Sequence, residues 1–182
     1  MELWQLYDEQ GRPLAGKGGS KDDVYGKGLL HGSAHIWLWR VHEGKLEVLL
    51  QKRAPNKRTW PDCYDISAAG HIDLGEDPLQ AALRETEEEI GLALAPEDLK
   101  LISVHREYLI APNGAIENEL EWIYLVEIAQ DQNFTLQPNE VTSLQWMSLE
   151  DFKADSSGDK YVPHGDRYFD MIITAIEKAA KS

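Results

Sequence analysis

The chain has 182 residues, 42% of them hydrophobic and six of them Trp, which suits one domain over 1–182 with a sizeable core and rules out a disordered acidic polymer. Its formal net charge of −14 argues against nucleic-acid or anionic-membrane partners, which need clustered Lys and Arg to neutralise phosphates. No stretch approaches the roughly 18 apolar residues that span a bilayer, the start MELWQLYDEQ lacks the regions of a secretory signal, and the lone Cys63 excludes an internal disulfide framework, so the expected location is the cytoplasm.

ELWQLYDEQGRPLAG reads as a short hairpin turning at Asp8 to Gly11, and GKGGSKDDVYGKG as a loop, so that 1–30 is hairpin plus loop. HIWLWRV and LEVLLQKR read as strands joined at His42 to Lys45. QKRAPNKRTWPD follows, and its cations, Arg53 and Lys57 first, are candidates to hold phosphate; a solvated turn has the same composition. Residues 70–92, GHIDLGEDPLQAALRETEEEIGL, contain a helix: Asp77 is a good N-cap, Pro78 suits the first helical position, Gln80 completes a capping box and Gly91 supplies the left-handed end. LKLISVHREYL and ELEWIYLVEI read as two strands about a turn at Pro112 to Gly114, and SLQWMSL as the last strand. Ser148 opens a short helical turn, DSSGDKYVPHGD is a polar loop, and 166–181 is a closing helix, apolar at Phe169, Ile172, Ile173 and Ile176. Interleaved strands and helices give an α/β or α+β class.

On a helical wheel Glu85, Glu88 and Glu89 fall within roughly 100°, and Leu79, Ala82, Leu83, Thr86 and Ile90 fill a separate arc of similar width. Three acids on one face repel each other unless a cation neutralises them, and hard oxygen donors at this density suit Mg²⁺ or Mn²⁺.

These residues resemble the signature of the Nudix hydrolases: Gly70, Glu76, Arg84, Glu85, Glu88, Glu89, Gly91 and Leu92 all stand at its offsets. Seven fixed identities meet by chance in a given frame on the order of 10⁻⁷ or less. Thr86 departs from the pattern, which asks for an apolar residue there; its hydroxyl can bond back to the preceding turn. The resemblance implies a Nudix-type α/β/α sandwich with a mixed sheet, a pyrophosphohydrolase activity, and Mg²⁺ or Mn²⁺ held by Glu85, Glu88, Glu89 and the Gly70 carbonyl. Glu85 ranks first as general base, with Glu88, Glu117 or Glu119 as alternatives, and Arg84 and Glu76 play supporting parts.

Over roughly 25–152 the chain is most similar to the isopentenyl diphosphate isomerase branch, through LLHGSAHIWLW, KRAPNKRTWPD, the Gly70-His71 pair, NGAIENELEW and NEVTSLQWMSLEDF. That similarity implies a further metal site at His31, His71, Glu117 and Glu119. From spacing alone, Glu117 and Glu119 would share a face of a strand, as ligands do and as plain surface acids also do. The isomerases place a cysteine immediately before the Gly-His step, where this chain has Ala69, six residues from Cys63; a further ligand histidine of that branch is replaced by Val24. With the full hydrolase set present, the expected reaction is hydrolysis of a diphosphate linked to an organic group. An allylic isomerase and a ligand-sensing module without catalysis are the rivals. Trp60 reads as a core residue more readily than as a stacking platform, and the loop carrying Tyr161, His164 and Asp166 is placed to cover a substrate. A homodimer is compatible with the sequence.

Overall fold

The computed structural model describes residues 2–181. Its nine strands are β1 (Trp4–Tyr7), β2 (Pro13–Gly19), β3 (His31–His42), β4 (Lys45–Arg53), β5 (Tyr64–Asp65), β6 (Ala68–His71), β7 (Lys100–Ile110), β8 (Ile116–Glu127) and β9 (Val141–Ser148). Four helices accompany them: α1 (Lys21–Lys27), α2 (Pro78–Ile90), α3 (Leu149–Asp155) and α4 (Asp166–Ala179).

β3 is the hub of a mixed sheet. It pairs antiparallel with β1, β4 and β6 and parallel with β8, with His31 opposite Glu119 and Ser33 opposite Glu121. β8 then carries β7 antiparallel, and β4 carries β5 and β9. A strand turns alternate side chains to opposite faces. Accordingly Ala34, Ile36 and Leu38 of β3 pack with Ala81, Ala82 and Ile90 of α2, while Trp37 and Trp39 pack with Phe152 of α3 and Ile172 and Ile176 of α4. The sheet is therefore covered by helices on both faces. Each fully buried Leu, Ile or Phe in these layers contributes about 1.5–3 kcal/mol.

α2 begins and ends at the residues its capping signals name. The Asp77 side chain accepts from the Leu79 N–H at 2.9 Å, Pro78 opens the helix, and Gly91 closes it at φ 68°. Thr86 is fully buried and its hydroxyl donates to the Ala82 carbonyl at 2.7 Å, which satisfies the one polar group on the packed arc.

Three parts differ from the sequence reading. The segment 16–28 is not all loop: β2 runs to Gly19 and α1 follows, capped by Ser20, whose hydroxyl accepts from the Asp23 N–H at 3.3 Å, and ended by Gly28 at φ 61°. Seven residues are too short to show a period, and the helix is fixed by burying Val24 and Tyr25 beside Trp4. β3 starts at His31, four residues before the apolar run, because β6 and β8 flank it there on both sides. The polar loop before α4 contains buried Tyr161 and Val162, and α4 ends at Ala179, two residues short of the expected end.

Candidate active site

Most of the side chains that could do chemistry line one cavity of about 1090 Å³. Helix α2 supplies its first wall. Glu85 lies against Gly70, where an added methyl would overlap the Glu85 carboxylate, so glycine is required for close approach and not for its torsion angles. Arg84 ties this wall together. Its Nε and Nη2 donate to Glu76 at 2.9 and 2.8 Å, Nη2 to the His71 carbonyl at 2.9 Å, and Nη1 to Glu85 at 2.6 Å and Glu88 at 3.3 Å. Glu76 also accepts from the Asp73 N–H at 3.0 Å, so the loop entering α2 is pinned to the same guanidinium.

The three glutamates differ in setting. Glu88 is exposed, Glu85 half-buried, and Glu89 buried, accepting from Gln51 Nε2 at 3.1 Å and the Ala69 N–H at 3.0 Å. Burial pushes the Glu85 carboxyl up to about 7 despite Arg84, and the Glu89 carboxyl up to about 8 despite Lys57. As placed, a positive Arg84 nitrogen lies between Glu85 and Glu88, and the three carboxylates are not among the groups whose donor atoms all come within 4.8 Å. The wall is acidic and short of positive charge, which is the electrostatic condition a hard divalent cation relieves.

The sheet supplies the floor. His31, Ser33 and His35 of β3, Glu117, Glu119 and Glu121 of β8, and His105 and Glu107 of β7 share the sheet face on which Trp37 and Trp39 pack against α4, and Tyr168 of α4 touches His35 and His105. Donor atoms of His31, His71 and Glu119 gather within 4.8 Å of one another. His31 Nδ1 lies 2.9 Å from the Leu29 carbonyl, which only accepts, so Nδ1 carries a proton. In the neutral ring Nε2 then presents a lone pair; it is buried, has no hydrogen-bond partner, and stands 3.3 Å from Glu119 Oε1. His71 Nε2 stands 3.7 Å from the same oxygen, and its ring is stacked on Trp4 with centroids 3.5 Å apart. Burial alone would push the Glu119 carboxyl up, but the two imidazoles hold it well below the usual carboxylate range. His71 itself is lowered to about 4 by burial.

The basic loop after β4 closes the third side. Lys57 pairs with Glu140, and Arg53 Nη1 donates to Asp65 at 2.9 Å while its other nitrogens reach the Thr59 carbonyl. Trp60 and Asp62 adopt positive φ of 47° and 60°, backbone strain that non-glycine residues hold only where the surroundings enforce it. Here the consequence is that the Trp60 Nε1–H donates to Glu117 at 2.8 Å. Trp60 therefore lines the cavity, whereas the sequence reading made it a core residue.

With this geometry in place, a NUDIX domain family model matches residues 30–165. The chain belongs to the Nudix family. Its relatives include Nudix hydrolase 3 of Arabidopsis thaliana, 34% identical over 150 residues, 79% of this chain and 19% of that much longer protein. An uncharacterized Nudix hydrolase of Clostridium acetobutylicum is 28% identical over 204 residues, covering 96% of this chain and 97% of its own. Isopentenyl-diphosphate Delta-isomerase 2 of Photorhabdus laumondii is 31% identical over 148 residues, 81% of this chain and 78% of that one. Among solved structures, a Deinococcus radiodurans protein superposes at TM-score 0.68 with 16% identity, over 97% of this chain and 98% of that one. A Caenorhabditis elegans Ap4A hydrolase in a binary complex superposes at 0.59 with 22% identity, over 83% and 98%. These two share the fold, and the family is one of enzymes, the Nudix hydrolases.

Within this Nudix domain the cavity collects Gly70, Glu85, Glu88 and Glu89 of the signature with His71, Glu117 and Glu119 of the floor and Arg53 and Lys57 of the basic loop. His31 reaches the group through Glu119, and Glu76 stands behind Arg84. Ala69, at the position of the isomerase cysteine, offers only a methyl, and Val24 is fully buried in a separate apolar cluster. Cys63 lies in the loop between β4 and β5.

Sequence reasoning missed five polar groups of the floor: His35, Asp65, Glu107, His105 and Glu121. ENELE places a third acid, Glu121, two residues beyond Glu119, so strand alternation was a usable signal for it. The others have none, because they meet only through sheet register. His164 was placed on a covering loop. It is buried, with Nδ1 2.8 Å from Glu107 and Nε2 3.0 Å from Asp65. Burial opposes a charged ring, yet these two carboxylates hold its pKa well above the usual histidine range. Burial likewise pushes Asp65 up, but His164 and Arg53 hold it far down.

Proposed function

We propose that this Nudix hydrolase cleaves the diphosphate linkage of an organic diphosphate, of nucleoside diphosphate type or another, in a reaction dependent on Mg²⁺ or Mn²⁺. The observation that carries this reading is one cavity lined by all three signature glutamates on one side and by Arg53 and Lys57 on another. The donor set fits a hard divalent cation: carboxylates of Glu85, Glu88 and Glu89, together with the carbonyl of Gly70, whose missing side chain brings Glu85 close. Bound there, the ion would supply positive charge to the phosphate oxygens and lower the pKa of a water.

The chain's own residues divide the remaining work. Lys57 and Arg53 offer charge to a phosphate against a net −14 background, Arg84 fixes the direction of Glu85, and Glu76 fixes Arg84. Glu85 takes the proton of the attacking water, with Glu88, Glu117 and Glu119 as the other bases within the cavity. A further ion at His31, His71 and Glu119, with Glu117 beside them, is supported by the buried His31 Nε2 that has no partner. The reading extends to a single domain acting in the cytoplasm on small molecules, without nucleic-acid or membrane partners, and allows a homodimer.

The test is a panel of nucleoside di- and triphosphates, dinucleotides, nucleotide sugars and isoprenoid diphosphates with Mg²⁺ or Mn²⁺, scored by phosphate or diphosphate release, with Glu88→Gln as control. Release by the wild type and its loss in the variant are expected. A second reading, allylic isomerisation, is favoured by the same His31 geometry, and conversion of isopentenyl diphosphate without phosphate release would establish it in place of hydrolysis. Absence of any turnover, alongside tight binding of one compound, would instead mark a sensing module.

A further inference from the structure

Glu121 is the least explained charge in the molecule. It is 1% exposed, and its Oε2 has no hydrogen-bond partner. Register sets it opposite His105 on β7, and strand alternation turns His105 and Glu107 to its side. Donor atoms of His105, Glu107 and Glu121 all lie within 4.8 Å of one another.

The surroundings are those of a ligand held from behind. Glu107 Oε2 accepts from His164 Nδ1, and His164 Nε2 donates to Asp65. Both partners are carboxylates with Asp65 already salt-bridged to Arg53, so both ring nitrogens carry protons and His164 is an imidazolium. Arg53 and His164 pair with Asp65 and Glu107, whereas the basic group beside Glu121 is the His35 ring, 3.8 Å away and kept neutral by burial. His105, half-buried on a strand that pairs with β8 alone among the described residues, lies edge-on to the Tyr168 ring, 5.8 Å between centroids, and no hydrogen bond to a described residue engages either of its ring nitrogens.

Glu121 also belongs to a second group, with His35 and Glu119. That group is closed by its own bonding. The Tyr168 hydroxyl accepts from Trp37 Nε1 at 3.1 Å and lies 2.8 Å from His35 Nδ1. Donation of the tyrosine proton to Nδ1 completes both, and leaves His35 Nε2 as an N–H directed at Ser33 Oγ, 3.3 Å away, with no lone pair for a metal.

We infer that His105, Glu107 and Glu121 form a separate binding site for a first-row divalent ion such as Mn²⁺ or Zn²⁺. One imidazole and two carboxylates are donors that such ions accept, and water would complete the coordination. The ion would give the unpartnered Glu121 oxygen a partner and tie β7 to β8.

The experiment uses the full chain, stripped with a chelator and dialysed to saturation against Zn²⁺ or Mn²⁺, with bound ions counted per chain by atomic emission. His105→Ala and Glu121→Gln are each expected to hold one ion fewer than the wild type. His164→Gln, which loosens Glu107, is expected to weaken the same ion by about 10–100-fold. The half-buried position of His105 keeps its variant folded, checked by circular dichroism, so the count decides even if Glu121→Gln does not fold. Equal counts in the wild type and in His105→Ala would overturn the site.

Discussion

Glu85 and Glu88 stand three residues apart on one helix and share a guanidinium from that helix, Arg84. Glu107 and Glu121 come from different strands, and Glu107 depends on His164, 57 residues away, which in turn holds Asp65, 99 residues away. Both sets line the same cavity. The first is built by helical spacing, and its outer member, Glu88, is exposed, so that wall has room to adjust. The second is built by sheet register and is buried, so each charge must meet a fixed partner or cost several kcal/mol. A cavity with one adaptable wall and one fixed floor follows from that difference.

Breaking the fixed floor should have the largest effect. Asp65→Asn removes the shared partner of Arg53 and His164 and is expected to cost about 3–5 kcal/mol of stability by urea denaturation at neutral pH. The pH dependence has a definite sign. The Asp65 carboxyl is held far below its unfolded value near 3.8, so its contribution is complete above that value and is lost as pH falls toward the folded pKa. As pH is lowered, the gap between wild type and variant should therefore narrow only below about pH 4, and as pH is raised past the ordinary histidine range it narrows because the His164 proton is lost; a gap that shrinks as pH falls from 8 to 5 would contradict the assignment.

On the adaptable wall the effect should be on rate. Glu88 is exposed, so Glu88→Gln should melt within about 0.5 kcal/mol of the wild type while turnover falls at least ~10²-fold, about 2.7 kcal/mol on the activation scale. Unchanged turnover would remove Glu88 from the proposed metal set. Gly70→Ala sharpens the same comparison, because its methyl must displace the Glu85 carboxylate. A loss of about 1–3 kcal/mol is expected, with activity reduced together with Glu85 placement. If the variant is as stable and as active as the wild type, Glu85 is freer than its contact with Gly70 implies.

The smallest change is expected at Thr86→Val, on the packed side of α2. The hydroxyl bonds a carbonyl within its own helix, so its loss should shift stability by no more than about 1 kcal/mol in thermal melts. A larger loss would mean that the departure from the family pattern at this position has a structural purpose.

Several features were legible before any coordinates. The α2 boundaries follow from Asp77, Pro78, Gln80 and Gly91, since capping is chemistry between residues within one turn of each other. The mixed-sheet sandwich followed from the resemblance, while the strand and helix patterns by themselves gave an interleaved α/β or α+β class. By contrast, α1 was hidden by its glycines and short length and is held by burying Val24 against Trp4 and Tyr25. Trp60 read as core because its hydrophobic area dominates its composition signal, whereas its strained backbone aims the indole at Glu117.

That three acids and an arginine share a helix with ends fixed by their neighbours was readable from residue order, because helical spacing and capping act over a few residues. Residue order also set the alternation that puts Glu117, Glu119 and Glu121 on one side of a strand. That His31 faces Glu119, that His105 faces Glu121 and that His164 joins Glu107 to Asp65 emerged from the folded chain alone. Those meetings depend on strand register and loop closure across the described chain, and in a buried setting they set which polar groups are partnered and which are not.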